Sequence, residues 1–229
     1  MLYATLMLLL AAAVYLPALW VRWVMRRHAA TIEDMPGTGG ELAQHLLEQF
    51  DMVDHKVEET APNTDHYDPN DQAVRLSPAN FSGKSLTAIA VAAHEVGHAL
   101  QHHRDEEIFR LRTRFLPTAK LLERIGIMLL YLLPLIGLLI KAPAAVFALI
   151  ALSLMLQLAG ALSYLIVLPE EMDASFNKAL PILTKGNYIQ AHHEDAVRAV
   201  LKAAALTYFA AALANVLNIG RWVMVLIRR

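Results

Sequence analysis

Near the middle of the chain stands the sequence Val91-Ala92-Ala93-His94-Glu95-Val96-Gly97-His98-Ala99-Leu100, which contains a His-Glu-x-x-His motif. Its small, uncharged neighbours predict a buried helix, on which residues four apart share one face. His94 and His98 can therefore bind one metal ion, and Glu95 can take a proton from a water that the metal activates. The motif supplies two ligands and a base, so a third ligand must come from elsewhere in the chain.

The surroundings of the motif favour a metal site over a chance match. A His-Glu-x-x-His sequence also occurs by chance, and a histidine pair is often only part of a polar helix face. Here the neighbouring residues lack the Lys and Glu of a surface helix, and buried imidazoles and a carboxylate need partners, which a metal ion provides. Gly97 costs about 1 kcal/mol of helix propensity relative to alanine. Its presence predicts a close approach of another backbone at this position.

The composition indicates a membrane protein. Of the 229 residues, 56% are hydrophobic and 18% are charged, which is too apolar for an ordinary soluble domain. Uncharged stretches occur at residues 2–21, 125–140 and 142–168, and a fourth apolar stretch at 203–227 is interrupted by asparagines and an arginine. The stretch 125–140 is short enough to be a buried core helix, but its abutment to the next one favours a transmembrane hairpin.

The placement of basic residues predicts the orientation of these spans. The first stretch has no Lys or Arg before Arg22, so it lacks the basic start of a signal peptide and is predicted to be a retained anchor. Basic residues follow the first span and precede the second, whereas only Lys141 separates the second from the third. The positive-inside rule therefore places residues 26–121 in the cytoplasm. A fourth full span would put Arg228 and Arg229 outside, against this rule, so the last segment is interpreted as partly interfacial or as packed on the other spans.

The composition also excludes two kinds of site. The chain has no cysteine, so disulfides and thiolate ligands are excluded and a metal site must use histidines and carboxylates. The formal net charge of −1 gives no indication of nucleic-acid binding. The expected partners are a peptide or protein substrate and the lipid bilayer, without nucleic acid.

The region between the first two spans is predicted to contain helices and a small sheet. Residues 41–50 have helical spacing, 53–60 fit a short strand, and 65–77 fit a hairpin with Pro69 in its turn. The motif helix is predicted at 85–101. An edge strand beside this helix can hold an extended peptide by main-chain hydrogen bonds, with little sequence preference.

Other histidines are poor candidates for the third ligand. The metzincin pattern would require a third histidine where Arg104 stands, so that class is excluded. His102 lies one turn beyond the motif, but three histidines on successive turns of a straight helix span about 12 Å, too far for one ion. With His103 it is better explained as the polar end of the helix. His192 and His193 fit a solvated helix start.

The acids directly after the third apolar stretch are a better source. They lie in the sequence Leu168-Pro169-Glu170-Glu171-Met172-Asp173-Ala174-Ser175. Pro169 suits the first turn of a new helix, and acids suit its positive end, which is the simplest explanation of these residues in isolation. Since His94 and His98 need a partner, one of these carboxylates is predicted to complete the site and to leave the fourth position for water.

Five segments together carry a family resemblance that covers nearly the whole chain. They are Asp65-His66-Tyr67-Asp68-Pro69, Val74-Arg75-Leu76-Ser77, the motif with its flanks at 91–102, the acidic segment at 168–175, and Ala203-Ala204-Ala205-Leu206-Thr207-Tyr208. Taken together, they resemble the YugP-type neutral zinc metallopeptidases of bacterial membranes. The layout is similar to that of the HtpX-like membrane proteases, in which a transmembrane hairpin separates the motif helix from the helix with a ligand glutamate. The resemblance implies Zn²⁺ held by His94, His98 and Glu171, with Glu95 as the base.

One departure from the wider gluzincin pattern concerns the partners of the zinc-bound histidines. The family has its ligand glutamate where Glu171 stands, which favours Glu171 over Glu170. The gluzincin pattern then has an aspartate four residues later, where this chain has Ser175. Asp173 is two residues after Glu171 and points elsewhere on a regular helix. Either a distorted turn brings Asp173 into that role, or the histidines have different partners here.

The predicted fold is that of a mainly α-helical integral membrane protein with a zincin-like α+β catalytic region that contains a small β-hairpin or sheet. It is expected in the bacterial inner (cell) membrane, crossing it several times, with its active site on the cytoplasmic side. The predicted segments are an N-terminal transmembrane anchor at residues 1–25, the catalytic region at 26–121 and a transmembrane hairpin at 122–168. They are followed by the third-ligand helix with the following segment at 169–202 and a C-terminal membrane-associated helix at 203–229.

The predicted function is that of a zinc-dependent metalloendopeptidase of gluzincin type, which hydrolyses peptide bonds, including those of membrane proteins, with a zinc-activated water. Besides zinc, a second donor must stabilise the oxyanion. His66, Tyr67, Tyr164 and Tyr208 are the candidates, and His66 ranks first because it lies on the predicted hairpin. The alternative is a catalytically silent zinc-bound membrane scaffold or adaptor, against which the intact Glu95 argues.

Overall fold

The computed structural model describes residues 2–139 and 142–227, which are mainly helical and include one small sheet. Lys141, Arg228 and Arg229, on which part of the orientation argument rests, lie outside the described residues. The elements, in chain order, are α1 Leu2–Arg27, α2 Gly39–Gln49, β1 Lys56–Glu59, β2 His66–Asp68, β3 Ala73–Leu76, α3 Pro78–Phe81, α4 Leu86–His103, α5 Glu107–Leu139, α6 Pro143–Met172, a π-helix Asp173–Ala179, α7 Leu180–Lys185, a 3₁₀ turn Ala191–His193 and α8 Glu194–Ile227.

The chain divides into two compact units. The first comprises Met1–Leu19, Leu111–Leu168 and Tyr208–Arg229, and the second comprises Trp20–Arg110 and Pro169–Thr207. The motif helix and the acidic segment are both in the second unit, although the third apolar stretch separates them in sequence.

The predicted hairpin is confirmed by β2 and β3, which pair antiparallel with Tyr67 opposite Val74. The turn at residues 69–72 contains the predicted proline, and the sheet has the strand order β1-β3-β2. Both β1 and β2 are therefore edge strands, and β2 is the antiparallel one. The sheet and α2 pack against α4.

The short strand predicted at 53–60 is also confirmed, as β1, although only residues 56–59 pair. It runs parallel to the central strand β3, and β2 pairs with the opposite edge of β3. Arg75 on β3 forms ion pairs with Glu58 on β1 and with Asp68 on β2. This guanidinium therefore connects all three strands on one face of the sheet.

Helix α4, which carries the motif, lies at the centre of the second unit. Ser85 caps it by accepting a hydrogen bond from the amide of Ala88, and every residue from 86 to 101 is buried. Its small side chains let neighbouring backbones approach closely. On α2, Gly39 lies so close to α4 that an added Cβ would be 2.8 Å from the carbonyl oxygen of Ala88. The predicted buried motif helix is thus confirmed, with its end at His103.

The acidic segment does not start a new helix, and the interpretation of Pro169 as a first-turn residue was wrong. Helix α6 runs through Pro169 to Met172 and continues directly into the π-helix and α7. The acids therefore lie within a continuous helical stretch, Pro143–Lys185, rather than at a helix N-terminus. π-Helical turns, with i→i+5 hydrogen bonds, are rare and occur frequently at functional sites.

The first unit contains a closely packed pair of helices, α5 and α6. A Cβ at Gly126 would lie 2.9 Å from the carbonyl oxygen of Ser153, and one at Gly160 would lie 3.0 Å from that of Ala119. The Ser153 hydroxyl donates to the Gly126 carbonyl. Close approach at small residues is typical of helix pairs in membranes.

Among the described residues, one helical stretch, Pro143–Lys185, is long and apolar enough to cross a bilayer. It contains the third predicted span. The other predicted spans coincide with parts of α1, α5 and α8, and as membrane spans they stay predictions.

Candidate metal centre

The side chains of His94, His98 and Glu171 converge in the second unit. The two Nε2 atoms, presented by successive turns of α4, lie 3.2 Å apart. Glu171, near the end of α6, places its Oε2 3.3 Å from each of them. All three side chains are buried, and the group could hold a metal ion.

The spacing of these three atoms fits tetrahedral zinc. Nitrogen and oxygen ligands about 2.0–2.1 Å from a tetrahedral ion lie about 3.3–3.4 Å from one another. The three observed separations of 3.2, 3.3 and 3.3 Å are close to this value. Three ligand atoms leave the fourth tetrahedral position for water or substrate, as in catalytic zinc sites.

The tautomer of His94 follows from its contact with Ser175. The Ser175 hydroxyl donates to the carbonyl oxygen of Leu201 at 3.0 Å. Its oxygen is therefore the acceptor toward Nδ1 of His94, also at 3.0 Å. Because Nδ1 carries the proton, Nε2 of His94 presents its lone pair to the other two ligand atoms.

The tautomer of His98 is fixed in the same way by two acceptors. Its Nδ1 lies 2.6 Å from Oε1 of Glu170 and 3.0 Å from Oε1 of Gln101. The Gln101 amide nitrogen donates to the carbonyl oxygen of Glu170 and to the carboxylate of Asp173, which assigns its oxygen to the histidine. Nδ1 of His98 is thus the donor, and Nε2 is left as an acceptor.

The two tautomer assignments determine the hydrogen-bonding character of the three candidate ligand atoms. The Nε2 atoms of His94 and His98 and the carboxylate oxygen of Glu171 are all acceptors, and they meet at hydrogen-bond distance. Three buried acceptors repel one another in the absence of a cation, whereas a divalent ion stabilises them. The donor set is nitrogen and oxygen without sulfur, which suits Zn²⁺.

A chain of charged and polar groups extends outward from the site. Gln101 donates to Asp173, and Lys178 forms ion pairs with Asp173 at 3.0 Å and with Glu106 at 2.9 Å. Burial alone would raise the pKa of Asp173, but side-chain donors, Asn177 first, hold it below its usual value. Burial alone would lower the pKa of Lys178, but its two carboxylate partners hold it above the usual value. Both groups are therefore charged at neutral pH.

Glu95 lies on α4 directly after His94 and is 6% exposed. It is thus a buried carboxylate next to a candidate ligand. Its burial agrees with a role inside the site, and the role as base stays a prediction.

The four candidates for oxyanion stabilisation are not equivalent. His66 lies on the edge strand β2 and donates from Nδ1 to the carbonyl oxygen of Thr64 at 2.6 Å. A neutral His66 ring therefore has no proton on Nε2, and it could donate to an oxyanion only as the imidazolium. The Tyr67 phenol is buried, which raises its pKa, and its oxygen lies 2.8 Å from Nδ1 of His102.

Tyr164 and Tyr208 belong to the first unit. Their rings stack with centroids 6.1 Å apart, and Tyr164 donates to Glu123 while Arg112 donates to the Tyr208 oxygen. Both hydroxyl groups thus have partners within that unit.

The histidines set aside as ligands lie elsewhere. His102 packs against Tyr67 and Phe109 at the end of α4. His192 and His193 form the 3₁₀ turn that leads into α8, as expected of a helix start.

Sequence reasoning missed the parts of Glu170 and Gln101 in this site. Glu170 was explained by the dipole of a helix start that does not exist, and Gln101 was given no role. A signal was present for Gln101, since it lies three residues after His98 and therefore shares its helix face. Of the two alternatives for Asp173, the structure agrees with the second, because Asp173 contacts Gln101 and the partner of His94 is Ser175.

Comparison with known proteins identifies relatives of the whole chain. The family model described as "Putative neutral zinc metallopeptidase" matches residues 3–227. A protein of Bacillus subtilis (strain 168), named "Putative membrane protease YugP", is 39% identical over 196 residues, which cover 82% of this chain and 80% of that protein. No solved structure matches the chain. The family confirms zinc as the cofactor, and the buried group of two histidines and a glutamate could hold it.

Proposed function

The chain belongs to the YugP-type family of neutral zinc metallopeptidases, and on that premise we propose that it is a membrane-embedded, zinc-dependent metalloendopeptidase of gluzincin type. We assign His94, His98 and Glu171 as the zinc ligands and Glu95 as the base. The observation that carries this proposal is the nearly equilateral triangle of acceptor atoms, 3.2 to 3.3 Å on a side, next to a buried carboxylate.

The proposed reaction is hydrolysis of a peptide bond. Bound Zn²⁺ supplies Lewis acidity that polarises the scissile carbonyl and lowers the pKa of water toward about 7. The Glu95 carboxylate takes a proton from the attacking water and passes it to the leaving amine, so it acts as base and then as acid. Its burial supports this role, because a desolvated carboxylate is a stronger proton acceptor than a hydrated one.

The edge strands suggest how the substrate is held. An extended peptide adds to a sheet edge through main-chain hydrogen bonds, which read no side chains. In the second unit β2 is an antiparallel edge strand that packs against α4. We propose β2 as the substrate strand and His66 on it, in its protonated form, as the first candidate for the oxyanion donor.

The membrane setting is proposed on three grounds. A relative is named as a membrane protease, one helical stretch is long and apolar enough to cross a bilayer, and large apolar side chains on it, such as Phe147 and Met155, are exposed. We propose a multi-pass protein of the bacterial inner membrane with its active site in the cytoplasm, as the positive-inside rule favours. Membrane proteins are then the substrates that lie nearest to the proposed active site.

The proposed organisation keeps the boundaries drawn from the sequence. The catalytic region and the third-ligand segment together form the hydrolytic site, and the remaining segments serve as membrane anchor and hairpin. The proposed ranges are 1–25 for the anchor, 26–121 for the catalytic region, 122–168 for the hairpin, 169–202 for the third-ligand helix and its continuation, and 203–229 for the C-terminal membrane-associated helix.

The test is the variant Glu95→Gln in the full-length, zinc-loaded protein. We expect it to lose casein cleavage or autocleavage in detergent while it keeps one equivalent of zinc, because the amide cannot accept the proton. His94→Ala and Glu171→Ala should lose both zinc and cleavage, and phenanthroline should block the wild type. A Glu95→Gln variant that cleaves at the wild-type rate would refute the assignment. A wild type that binds zinc without any cleavage would favour the scaffold.

A further inference from the structure

Glu170 is a fully buried carboxylate whose position needs an explanation. Its exposed fraction is 0%, and its Oε1 lies 2.6 Å from Nδ1 of His98. The helix-start explanation does not hold, because α6 runs through Pro169 and continues directly into the π-helix and α7, so Glu170 lies at no helix terminus. A carboxylate that is buried within a continuous helical stretch must be stabilised by a specific partner.

The partner is the imidazole of His98. Nδ1 of His98 lies 2.6 Å from Oε1 of Glu170, which is an ion-pair contact. The same Nδ1 donates a hydrogen bond to Oε1 of Gln101 at 3.0 Å, and the Gln101 amide group is held by Asp173 and by the Glu170 carbonyl. Gln101 is therefore the neutral hydrogen-bond acceptor, and Glu170 supplies the negative charge beside the ring.

We propose that Glu170 is the positioning residue for the zinc ligand His98. Its carboxylate holds the ring in the Nδ1–H tautomer, orients Nε2 toward the ion and increases the basicity of that nitrogen. Ser175 holds His94 with a hydroxyl, at the position where the gluzincin pattern has an aspartate. In the gluzincin pattern the supporting carboxylate lies four residues after the ligand glutamate. Here the supporting carboxylate is Glu170, directly before Glu171, and the histidine that it supports is His98 instead of His94.

This inference rests on the proposed zinc ligands, and it makes the charge of Glu170 the decisive property. Glu170→Gln preserves the size of the side chain and an oxygen that can accept from Nδ1, so a merely structural role would be preserved as well. Loss of the negative charge should lower the zinc affinity by about 10- to 100-fold, the usual effect of removing such a partner. The ligands themselves are unchanged.

The experiment measures zinc affinity by competition with a chromophoric chelator on purified full-length protein, for the wild type, Glu170→Gln, His98→Ala and Glu59→Gln. Glu59 is an exposed carboxylate on β1 and serves as the matched control. We expect Glu59→Gln to bind as the wild type does and Glu170→Gln to bind about 10- to 100-fold more weakly. The absorption spectrum of the Co²⁺-substituted protein should shift in Glu170→Gln and stay unchanged in Glu59→Gln.

The outcomes separate the two proposals. If His98→Ala binds zinc as the wild type does, the proposed ligand set fails. If His98→Ala loses zinc while Glu170→Gln keeps wild-type affinity and spectrum, the ligand set stands and the role of Glu170 is refuted.

A measurement on the wild type covers the case in which Glu170→Gln does not fold. In the ¹⁵N-histidine-labelled, zinc-loaded protein, His98 should show a proton on Nδ1 with a resonance downfield of the ordinary range, because a carboxylate oxygen lies 2.6 Å from that nitrogen. Assignment is by its loss in His98→Ala. A proton on Nε2, or an Nδ1 proton at an ordinary shift, would overturn the proposal.

Discussion

Gly97 on α4 faces the backbone of Ala174 in the π-helix, so closely that a Cβ at residue 97 would lie 2.8 Å from the Ala174 carbonyl oxygen. The close approach predicted from this glycine is thereby confirmed. The contact sets the distance between the helix that carries His94 and His98 and the segment that carries Glu171. A site assembled from two helices depends on this spacing.

Gly97→Ala should therefore weaken both the fold and the metal site. The obstructing atoms belong to the backbone, so one helix must move, and overpacking of this kind costs about 1–3 kcal/mol of unfolding free energy. Displacement of Glu171 relative to the histidines should also lower the zinc affinity. Thermal unfolding with and without zinc, together with a chelator titration, measures the two effects.

The matched control is Gly37→Ala, because a Cβ there would meet only the side chain of Glu41, 3.2 Å from a carboxylate oxygen that caps the start of α2 through Thr38. It should leave the zinc affinity unchanged and cost less unfolding free energy than Gly97→Ala. Equal behaviour of the two variants would show that the helix spacing at residue 97 is not critical.

Ser175→Ala should selectively disturb His94. The substitution removes the acceptor of the Nδ1 proton and leaves a buried N–H without its partner, which costs about 1–3 kcal/mol. Zinc affinity should fall by about 10-fold or more, since partners of ligand histidines typically have effects of this size. Ser163→Ala removes an exposed hydroxyl that bonds only to its own helix, at Ala159, and should leave zinc binding unchanged. Wild-type affinity in Ser175→Ala would contradict the assignment of His94.

The motif helix, the hairpin and the acidic segment that meets the two histidines could be predicted because each is encoded locally. Four-residue spacing places His94 and His98 on one face whatever surrounds the helix, and Pro69 in a polar stretch between apolar residues marks a turn. The absence of cysteine directed the search for a third ligand to the acids around Glu171. None of these inferences requires knowledge of which distant segments pack together.

The partners of the two histidines could not be predicted in this way. Whether α6 ends at Pro169 or continues through it depends on packing around the proline, and local propensity alone favours a new helix there. With the wrong helix start, Glu170 had a sufficient explanation in the dipole. The π-helix could not be predicted either, although its start at Asp173, two residues after Glu171, places Ser175 beside His94.

Lys178→Met should destabilise the protein without changing its zinc ligands. Lys178 neutralises Asp173 and Glu106, which are 16% and 26% exposed, so its loss leaves two carboxylates together in a partly buried place. The expected decrease in unfolding free energy is about 1–2 kcal/mol, between the values for exposed and buried pairs. Chemical denaturation of the metal-free protein measures it.

The comparison for this prediction is Arg198→Met, which removes an ion pair with Glu194 in which both side chains are largely exposed, at 51% and 42%. Such a pair contributes about 0–1 kcal/mol. If the two variants lose the same stability, the Lys178 contacts are no more than surface pairs.

The orientation in the membrane can be tested cleanly because the chain contains no cysteine. Single cysteines at Val53, which is 80% exposed, and at Ala142, an exposed residue at the start of the third predicted span, report on opposite sides of the proposed bilayer. In intact cells a membrane-impermeant maleimide should label Ala142→Cys and spare Val53→Cys, and permeabilised cells should label both. The reverse pattern in intact cells would place the metal centre outside the cytoplasm, and the positive-inside argument would then have failed on the basic residues that flank α1 and open α5.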